Sequence, residues 1–425
     1  MKGFGDAANK RTNKKLKKVP TTKSTHDELA RSLANKAIIF YQKNDLTSAR
    51  KLLDEANKIA PNNAFIIGFL ATIEKAEGNL KEAERLFEIS IQLDPNEANF
   101  LHNYAQLLLN SNIAKALSLS ERSVLLSPNN PNFLERLGFI KFEINDLSGS
   151  LEANQKAIEL DPYRSSTHLN IGRIYQKQGE FEKALSSFLT ALKINPNNPQ
   201  ALSNLGIIHK QLGNLDQALT YILLSLELSP NNPGLLINAS SIYIDLGMLD
   251  KAHACVKACL GINPVNSSAL ITLGSIHKES GNDEEAIHTI KKALQIDPTI
   301  LNGYLNLSSI YISQNKLELA QNAVTKALEI DPQNSIALIN MGRIFRDLGQ
   351  PQKAKEVFYK LLDVMPDNSS GLTELASIHQ QADIPDLKLR TRQALKINPM
   401  LINNALFIEH ISSLGEDVFN EIIRL

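Results

Sequence analysis

Seven asparagines recur at one position of a 34-residue period, and their amides are the groups in this sequence best suited to hold a polypeptide. They are Asn35, Asn103, Asn170, Asn204, Asn238, Asn306 and Asn340. An asparagine amide can donate a hydrogen bond to a peptide backbone and also accept one, whereas asparagine has no intrinsic preference for the interior of a helix. A row of such amides would hold an extended chain without recognising its side chains. The alternative is that these asparagines contact water or a neighbouring helix.

Basic side chains accompany the asparagines on the same predicted helix face, with acidic residues between them. The basic residues are Arg173, Lys177, Lys210, Lys278, Arg343 and Arg346, and the acidic ones are Asp245, Glu279 and Asp347. This mixture favours a mildly acidic peptide, although any solvated helix face carries similar long side chains. Phe139 and Phe142 add a possible aromatic anchor, or else pack within the irregular repeat that contains them.

A proline marks the end of each unit of the period. Eleven prolines share one register, mostly 34 residues apart and twice 33 apart: Pro61, Pro95, Pro128, Pro162, Pro196, Pro230, Pro264, Pro298, Pro332, Pro366 and Pro399. Between them, apolar and small residues follow two helical stripes. In the unit 165–198 these residues are Ile171, Gly172, Tyr175, Ala184, Phe188 and Ala191. Each unit therefore predicts a helix, a turn and a second helix.

The turn between the two helices of a unit carries a second, independent marker. Glycine or asparagine occupies position 15, counted from the first residue of the unit: Gly78, Gly179, Gly213, Gly247, Gly281 and Gly349, with Asn44, Asn145 and Asn315. These two residue types accept the left-handed backbone that ends a helix. We therefore predict a helix end at each of these positions.

A 34-residue helix–turn–helix period with these apolar positions resembles the tetratricopeptide repeat. The resemblance implies an all-α fold, a right-handed α-solenoid of about eleven repeats, whose first helices line a concave groove that binds partners. The predicted groove residues are Asn103, Asn170, Arg173, Lys177, Asn204, Lys210, Asn238, Lys278, Asn306, Asn340, Arg343 and Arg346. Units such as LITLGSIHKESGNDEEAIHTIKKALQIDP also resemble the repeat arm of O-linked N-acetylglucosamine transferases, without the catalytic domain of that family.

The period divides the chain into three predicted regions. Residues 1–25 form a disordered basic tail, residues 26–401 one continuous solenoid, and residues 402–425 a pair of capping helices broken at Gly415. The second capping helix presents Val418, Phe419, Ile422 and Ile423 on one side, and its alternative role is docking on a partner. Residues 1–23 carry eight basic residues and one acidic residue, so the tail could contact nucleic acid or an anionic membrane. The lack of interleaved aromatic residues favours a solvated tail.

Composition and motifs exclude several classes of protein. No apolar run approaches the roughly 18 residues of a membrane span and no signal peptide is recognisable, so we expect a cytoplasmic protein. Cys255 and Cys259 are expected to be reduced and packed, with a zinc site that includes His253 as the alternative. His209, His277 and His379 take core positions, and no phosphate loop or paired nucleophile and base is evident. We expect no enzyme activity and no cofactor.

These features predict a protein-interaction scaffold, or adaptor, that binds an extended partner segment in the groove. The alternative is a substrate-recruiting arm for a separately encoded glycosyl- or other transferase. No repeat combines Lys at position 5 with Asn at position 9, so the clamp by which some relatives hold a chaperone's C-terminal peptide is not expected.

Overall fold

The structure, a computed structural model, describes residues 22–378, 384–413 and 415. Within these residues the regular structure is entirely helical, which confirms the predicted all-α solenoid class. The first helices of the repeats are α1 Thr22–Gln42, α3 Ala64–Ala76, α5 Ala98–Leu107, α7 Pro131–Glu143, α9 Ser165–Lys177, α11 Pro199–Gln211, α13 Pro233–Asp245, α15 Ser267–Glu279, α17 Leu301–Ser313, α19 Ser335–Asp347 and α21 Ser369–Ser377.

Each first helix is followed by a second helix of the same repeat. The second helices are α2 Leu46–Ile59, α4 Leu80–Leu93, α6 Ile113–Leu126, α8 Leu147–Leu160, α10 Phe181–Ile194, α12 Leu215–Leu228, α14 Leu249–Ile262, α16 Asp283–Ile296, α18 Leu317–Ile330, α20 Pro351–Val364 and α22 Ile384–Ile397. A 3₁₀ helix, Pro399–Asn403, and α23, Ala405–Ser413, complete the described chain.

The helix boundaries follow from capping residues near each closing proline. The side chain of Asn198 accepts hydrogen bonds from the backbone N–H groups of Gln200 and Ala201 at 3.0 and 3.1 Å, so it caps the first turn of α11. Pro199 then occupies the first helical position, where its missing N–H costs nothing. The same pattern of asparagine followed by proline begins α7 and α13.

The predicted turns are confirmed at every described position that the glycine and asparagine pattern marks. Gly179 has φ +77° and Asn145 has φ +65°, and the other seven marked residues also have positive φ. This left-handed residue ends the first helix and lets the chain reverse. The backbone N–H of Glu180, for example, then donates to the carbonyl of Tyr175 at 2.9 Å.

Small residues set the distance between the two helices of a repeat. The alanines at position 20 of the regular repeats are fully buried: Ala184, Ala218, Ala252, Ala286, Ala320 and Ala354. Gly172 at position 8 faces the fully buried ring of Phe188 at position 24, and a Cβ placed on Gly172 would lie 2.4 Å from Cε1 of that ring. The core of each repeat therefore lies between its paired helices, at a spacing that only small residues allow.

The chain separates into two compact units, Met1–Pro196 and Asn197–Leu425. The first contains α1–α10 and the second α11–α23. Within each unit, every first helix packs on its own second helix and on the first helix of the next repeat. One continuous solenoid over residues 26–401 stays a prediction.

The two ends of the chain differ in detail from the predicted boundaries. Helix α1 begins at Thr22, inside the predicted tail 1–25, and residues 1–21 lie outside the described residues. At the other end α23 packs on α21, with Phe407 and Ile411 buried in a cluster that includes Leu375. Gly415 has φ +106° at the predicted break. The second capping helix and His379 lie outside the described residues.

His209 occupies the core, as the sequence predicts. It is 8% exposed, and its ring stacks on that of Tyr221 with centroids 5.3 Å apart. Burial lowers the pKa of His209 below its ordinary value. The residue therefore substitutes for the tyrosine that other repeats place at position 11.

Candidate functional site

The predicted groove residues lie on one face of the first helices α5, α9, α11, α13, α15, α17 and α19. Apart from the exposed Lys177 they are half-buried, whereas neighbouring core positions such as Leu205 and Ile208 are fully buried. The polar side chains therefore stand along the edge of the core, within reach of both solvent and the adjacent first helix. This face is called the polar face below.

In the second unit, two asparagines of the polar face join neighbouring repeats. The amide nitrogen of Asn306 donates to the hydroxyl of Ser275 at 2.9 Å, linking α17 to α15. The amide nitrogen of Asn340 donates to the hydroxyl of Ser308 at 3.1 Å, linking α19 to α17. At these two positions the asparagine contacts a neighbouring helix, which leaves its carbonyl oxygen and one N–H of its amide for a ligand.

Asn204 and Asn238 differ from these two because neither side chain makes a hydrogen bond to any residue that the structure describes. Asn238 lines a cavity of about 380 Å³ between α11 and α13, together with Lys210, Ile207 and Ile242. The cavity is lined by isoleucine side chains and by the Asn238 amide, whose two N–H donors and carbonyl acceptor bond to no described residue. Such a combination suits a peptide, whose backbone is polar and whose side chains alternate in direction.

The basic residues of the second unit are paired with acids. Lys210 donates to the hydroxyl of Ser241, and its Nζ lies 3.1 Å from a carboxylate oxygen of Asp245. The Nε of Arg343 donates to Glu374 of α21 at 2.6 Å, and Arg346 pairs with the same carboxylate. The interspersed acids therefore neutralise much of the positive charge on this part of the polar face.

In the first unit the two asparagine contacts are longer. The amide nitrogens of Asn103 and Asn170 lie 3.5 Å from the Thr72 hydroxyl and from the side-chain oxygen of Asn154, respectively. Hydrogen bonds of this length are weak. Both amides can therefore exchange these contacts for a ligand at little cost.

Cations cover the aromatic pair of α7. The guanidinium carbon of Arg173 lies 4.6 Å and the Nζ of Lys177 5.0 Å from the centroid of the Phe142 ring, and Arg173 lies 5.9 Å from the Phe139 ring. Both phenylalanines are half-buried. The rings therefore serve first as platforms for the basic side chains of α9.

A cavity of about 400 Å³ on the polar face of the first unit is lined in part by residues that are not among the predicted groove residues. His102 and Arg136 line it, together with Phe139 and Asn170. The one available signal was that Arg136 replaces asparagine at position 6 of its repeat. Whether Arg136 has a hydrogen-bond or ion-pair partner depends on side chains about 30 residues away in the sequence. The repeat period does not predict these contacts.

Models of the tetratricopeptide repeat match this chain at several places. One model matches residues 30–63, 233–266, 267–300 and 301–334, and others match 172–213, 199–232 and 323–356. Together these ranges span 30–63 and 172–356, more than half of the 425 residues. The ranges 30–63, 199–232, 233–266, 267–300 and 301–334 follow the register of the closing prolines, whereas 172–213 and 323–356 begin within a repeat.

Solved structures show the same fold at low sequence identity. Yeast Tom70 is 13% identical, with coverage of 94% of this chain and 97% of that chain and a TM-score of 0.51. A structure of the APC/C hetero-tetramer Cut9–Hcn1 contains a chain that is 12% identical, with coverage of 85% and 86% and a TM-score of 0.51. No curated protein matches the chain in sequence. No helix in the described ranges is long and apolar enough to cross a membrane.

Proposed function

We propose that the chain, which belongs to the tetratricopeptide-repeat family, is a non-enzymatic protein-interaction scaffold that binds an extended partner segment along the polar face of α11–α19. The observation that carries this proposal is that the side chains of Asn204 and Asn238 make no hydrogen bond to any described residue, and that Asn238 lines the cavity between α11 and α13. An unsatisfied amide within an otherwise bonded row gains most from a ligand that supplies both a donor and an acceptor.

The bound segment would use its backbone for the amides and its side chains for the cavity. Asn204 and Asn238 can each donate to one peptide carbonyl and accept from one peptide N–H. Ile207 and Ile242 offer an apolar surface to a side chain that points inward. Asn306 and Asn340 each have one N–H fewer to offer, because the amide nitrogen already donates to a serine.

Replacing both Asn204 and Asn238 with alanine is expected to weaken partner binding about tenfold, through the loss of several peptide hydrogen bonds. The matched control is Asn306→Ala with Asn340→Ala, which we expect to weaken binding only about threefold. Affinity capture from the source lysate, quantified by mass spectrometry, identifies the proteins that the first double variant loses. Titration of each purified candidate with both variants then gives the affinities.

The control pair also has its own expected effect on the fold. It removes the links from α17 to α15 and from α19 to α17, so hydrogen exchange in these helices should become faster. The first pair should leave helicity and exchange unchanged, since its amides bond to no described residue. Equal partner affinity of the Asn204→Ala/Asn238→Ala variant and the unaltered chain, with both folded, would rule out backbone capture by these amides.

A second candidate function is a substrate-recruiting arm for a separately encoded glycosyl- or other transferase. The row of asparagines at position 6 supports it, because the repeat arm of O-linked N-acetylglucosamine transferases carries a similar row. Co-purification of a transferase that depends on Asn204 and Asn238 would support this role. Recovery of other partners alone would leave only the scaffold.

A further inference from the structure

Basic side chains from three successive first helices meet in the first unit without an acid to pair with them. They are Lys75 of α3, His102 of α5 and Arg136 of α7, here called the basic cluster. Lys75 donates to the side-chain oxygen of Gln106 at 2.7 Å. Among the residues that the structure describes, Arg136 makes no hydrogen bond or ion pair, and its guanidinium carbon lies 5.8 Å from the centroid of the Phe139 ring.

Two nitrogen atoms of the basic cluster are buried without a hydrogen-bond partner. They are Nε of Arg136 and Nδ1 of His102. Both residues line the cavity of about 400 Å³ on the polar face. Buried polar groups of folded proteins are nearly always hydrogen-bonded, so these two side chains have hydrogen-bonding capacity that a ligand in the cavity can use.

The charges of the basic cluster repel one another. Burial, with a further effect from the Arg136 charge, lowers the pKa of Lys75 to about 8. Burial and then the charges of Arg136 and Lys75 lower the pKa of His102 to about 4, so the imidazole is neutral at pH 7. Burial also lowers the pKa of Arg136. At pH 7 the cluster therefore holds two positive charges, on Lys75 and Arg136.

The acid in the cavity wall is already neutralised. Glu135 accepts a hydrogen bond from Nε of Arg164 at 3.0 Å and another from the Thr167 hydroxyl at 3.1 Å. Arg164 and Glu135 thus form an ion pair of their own beside the cluster. Glu135 attracts Arg136 through its charge but makes no ion pair with Arg136 or Lys75.

We propose that the basic cluster binds a carboxylate side chain, Asp or Glu, of an extended acidic polypeptide on the polar face. This proposal rests on the proposed function, and it specifies that the bound segment carries an acidic side chain where it crosses the basic cluster. A carboxylate in the cavity can accept from the guanidinium of Arg136 in the geometry that arginine favours, while the charge of Lys75 attracts it from outside the cavity lining. Asn170, which also lines the cavity, can hold the adjoining backbone.

The charges around the cavity favour a polypeptide over a nucleic acid. A single-stranded nucleic acid carries a phosphate at every nucleotide and needs a continuous basic track. Here Glu135 lies in the cavity wall, and Glu143 lies 3.7 Å from Arg173 farther along the same face. Both carboxylates interrupt the basic track, whereas a peptide need place only one acidic residue in the basic cluster.

The test uses fluorescence anisotropy with the full chain and a labelled 12-residue peptide of repeated Gly-Ser-Glu. Arg136→Asn installs the residue that seven other repeats carry at this position, so the variant is expected to fold. We expect Arg136→Asn and Lys75→Gln each to weaken binding at least about tenfold. Lys81→Gln removes an exposed charge of α4 and is the matched control, with an expected change of less than about twofold.

Three results would overturn the proposal. They are equal affinity of the unaltered chain and a folded Arg136→Asn variant, equal affinity for the matched Gly-Ser-Gln peptide, and no binding of the Glu peptide to the unaltered chain. Tighter binding of a 12-nucleotide oligothymidylate that Arg136→Asn weakens would assign the cluster to nucleic acid. Because Asn204 and Asn238 lie in the other unit, a failure here leaves partner capture by those asparagines intact, and the converse also holds.

The affinity for the Glu peptide is also expected to fall as the pH rises from 7 to 9. A bound carboxylate favours the protonated form of Lys75, and the free site loses this proton as the pH passes about 8. The Arg136 guanidinium stays charged over this range, and His102, whose pKa is about 4, stays neutral. Arg136→Asn removes the neighbouring positive charge that lowers the pKa of Lys75, so the fall in peptide affinity should shift to higher pH. Anisotropy titrations at several pH values measure both effects, and a pH-independent affinity contradicts the role of Lys75.

Discussion

Replacing Gly172 with alanine is expected to destabilise the first unit by about 1–3 kcal/mol, even though alanine is the better helix former. The added methyl group would lie 2.4 Å from Cε1 of Phe188, whose ring is fully buried, so the ring or a helix has to shift. Helices α9 and α10 must then separate, or the ring must leave its preferred rotamer. Urea unfolding combined with hydrogen exchange of α9 and α10 measures the loss.

Gly261 provides the matched control for this substitution. It lies in α14, and a Cβ placed there would meet no atom within 4 Å. Gly261→Ala should therefore stabilise the chain by about 0.5 kcal/mol, through helix propensity alone. Destabilisation of similar size at both glycines would show that packing against Phe188 is not the cause.

A double-mutant cycle tests the contact directly. Phe188→Ala alone should cost about 3–5 kcal/mol, because it leaves a cavity in the core of the repeat. Adding Gly172→Ala to this variant should cost little, since the space that the ring occupied can accept the methyl group. Additive losses in the double variant would contradict a direct contact.

Replacing Glu374 with glutamine is expected to cost the second unit about 1–2 kcal/mol. The Glu374 side chain is 12% exposed and accepts hydrogen bonds from Arg343 and Arg346 of α19. Glutamine keeps the shape but loses the charge, so both arginines lose their shared partner. The cost is limited because the two guanidinium groups stay partly solvated. The loss should appear as faster hydrogen exchange in α19 and α21.

The matched control for this variant is Glu356→Gln on α20, an exposed carboxylate for which the described residues show no partner. Its expected effect on the free energy of unfolding is below about 0.5 kcal/mol. High salt should reduce the effect of Glu374→Gln, since screening weakens a partly exposed ion pair. An effect at Glu356 as large as that at Glu374 would show that general charge, and not this contact, stabilises the unit.

Most of the fold was predictable from the sequence because its determinants are local and repeated. The asparagine caps and first-turn prolines act within a few residues, as Asn198 and Pro199 do in α11. The glycines and asparagines at position 15 need only their own backbone to turn the chain. Contacts between the paired helices, such as Gly172 with Phe188, span a constant separation in each regular repeat. Because the pattern repeats eleven times, these features can be recognised from the sequence without a structure.

What the polar face can bind was decided by tertiary structure, and position 6 shows why. Asn306 donates to a serine of the preceding first helix and Glu374 accepts from two arginines, whereas Asn238 and Arg136 make no side-chain hydrogen bond to any described residue. The repeat period predicts that these four positions are equivalent. Their partners are side chains about 30 residues away in the sequence. Which partner each residue finds depends on the side chains that two neighbouring helices bring together. The sequence by itself therefore determined the helices, turns and core, whereas the contacts between repeats determined which polar groups remain free for a ligand.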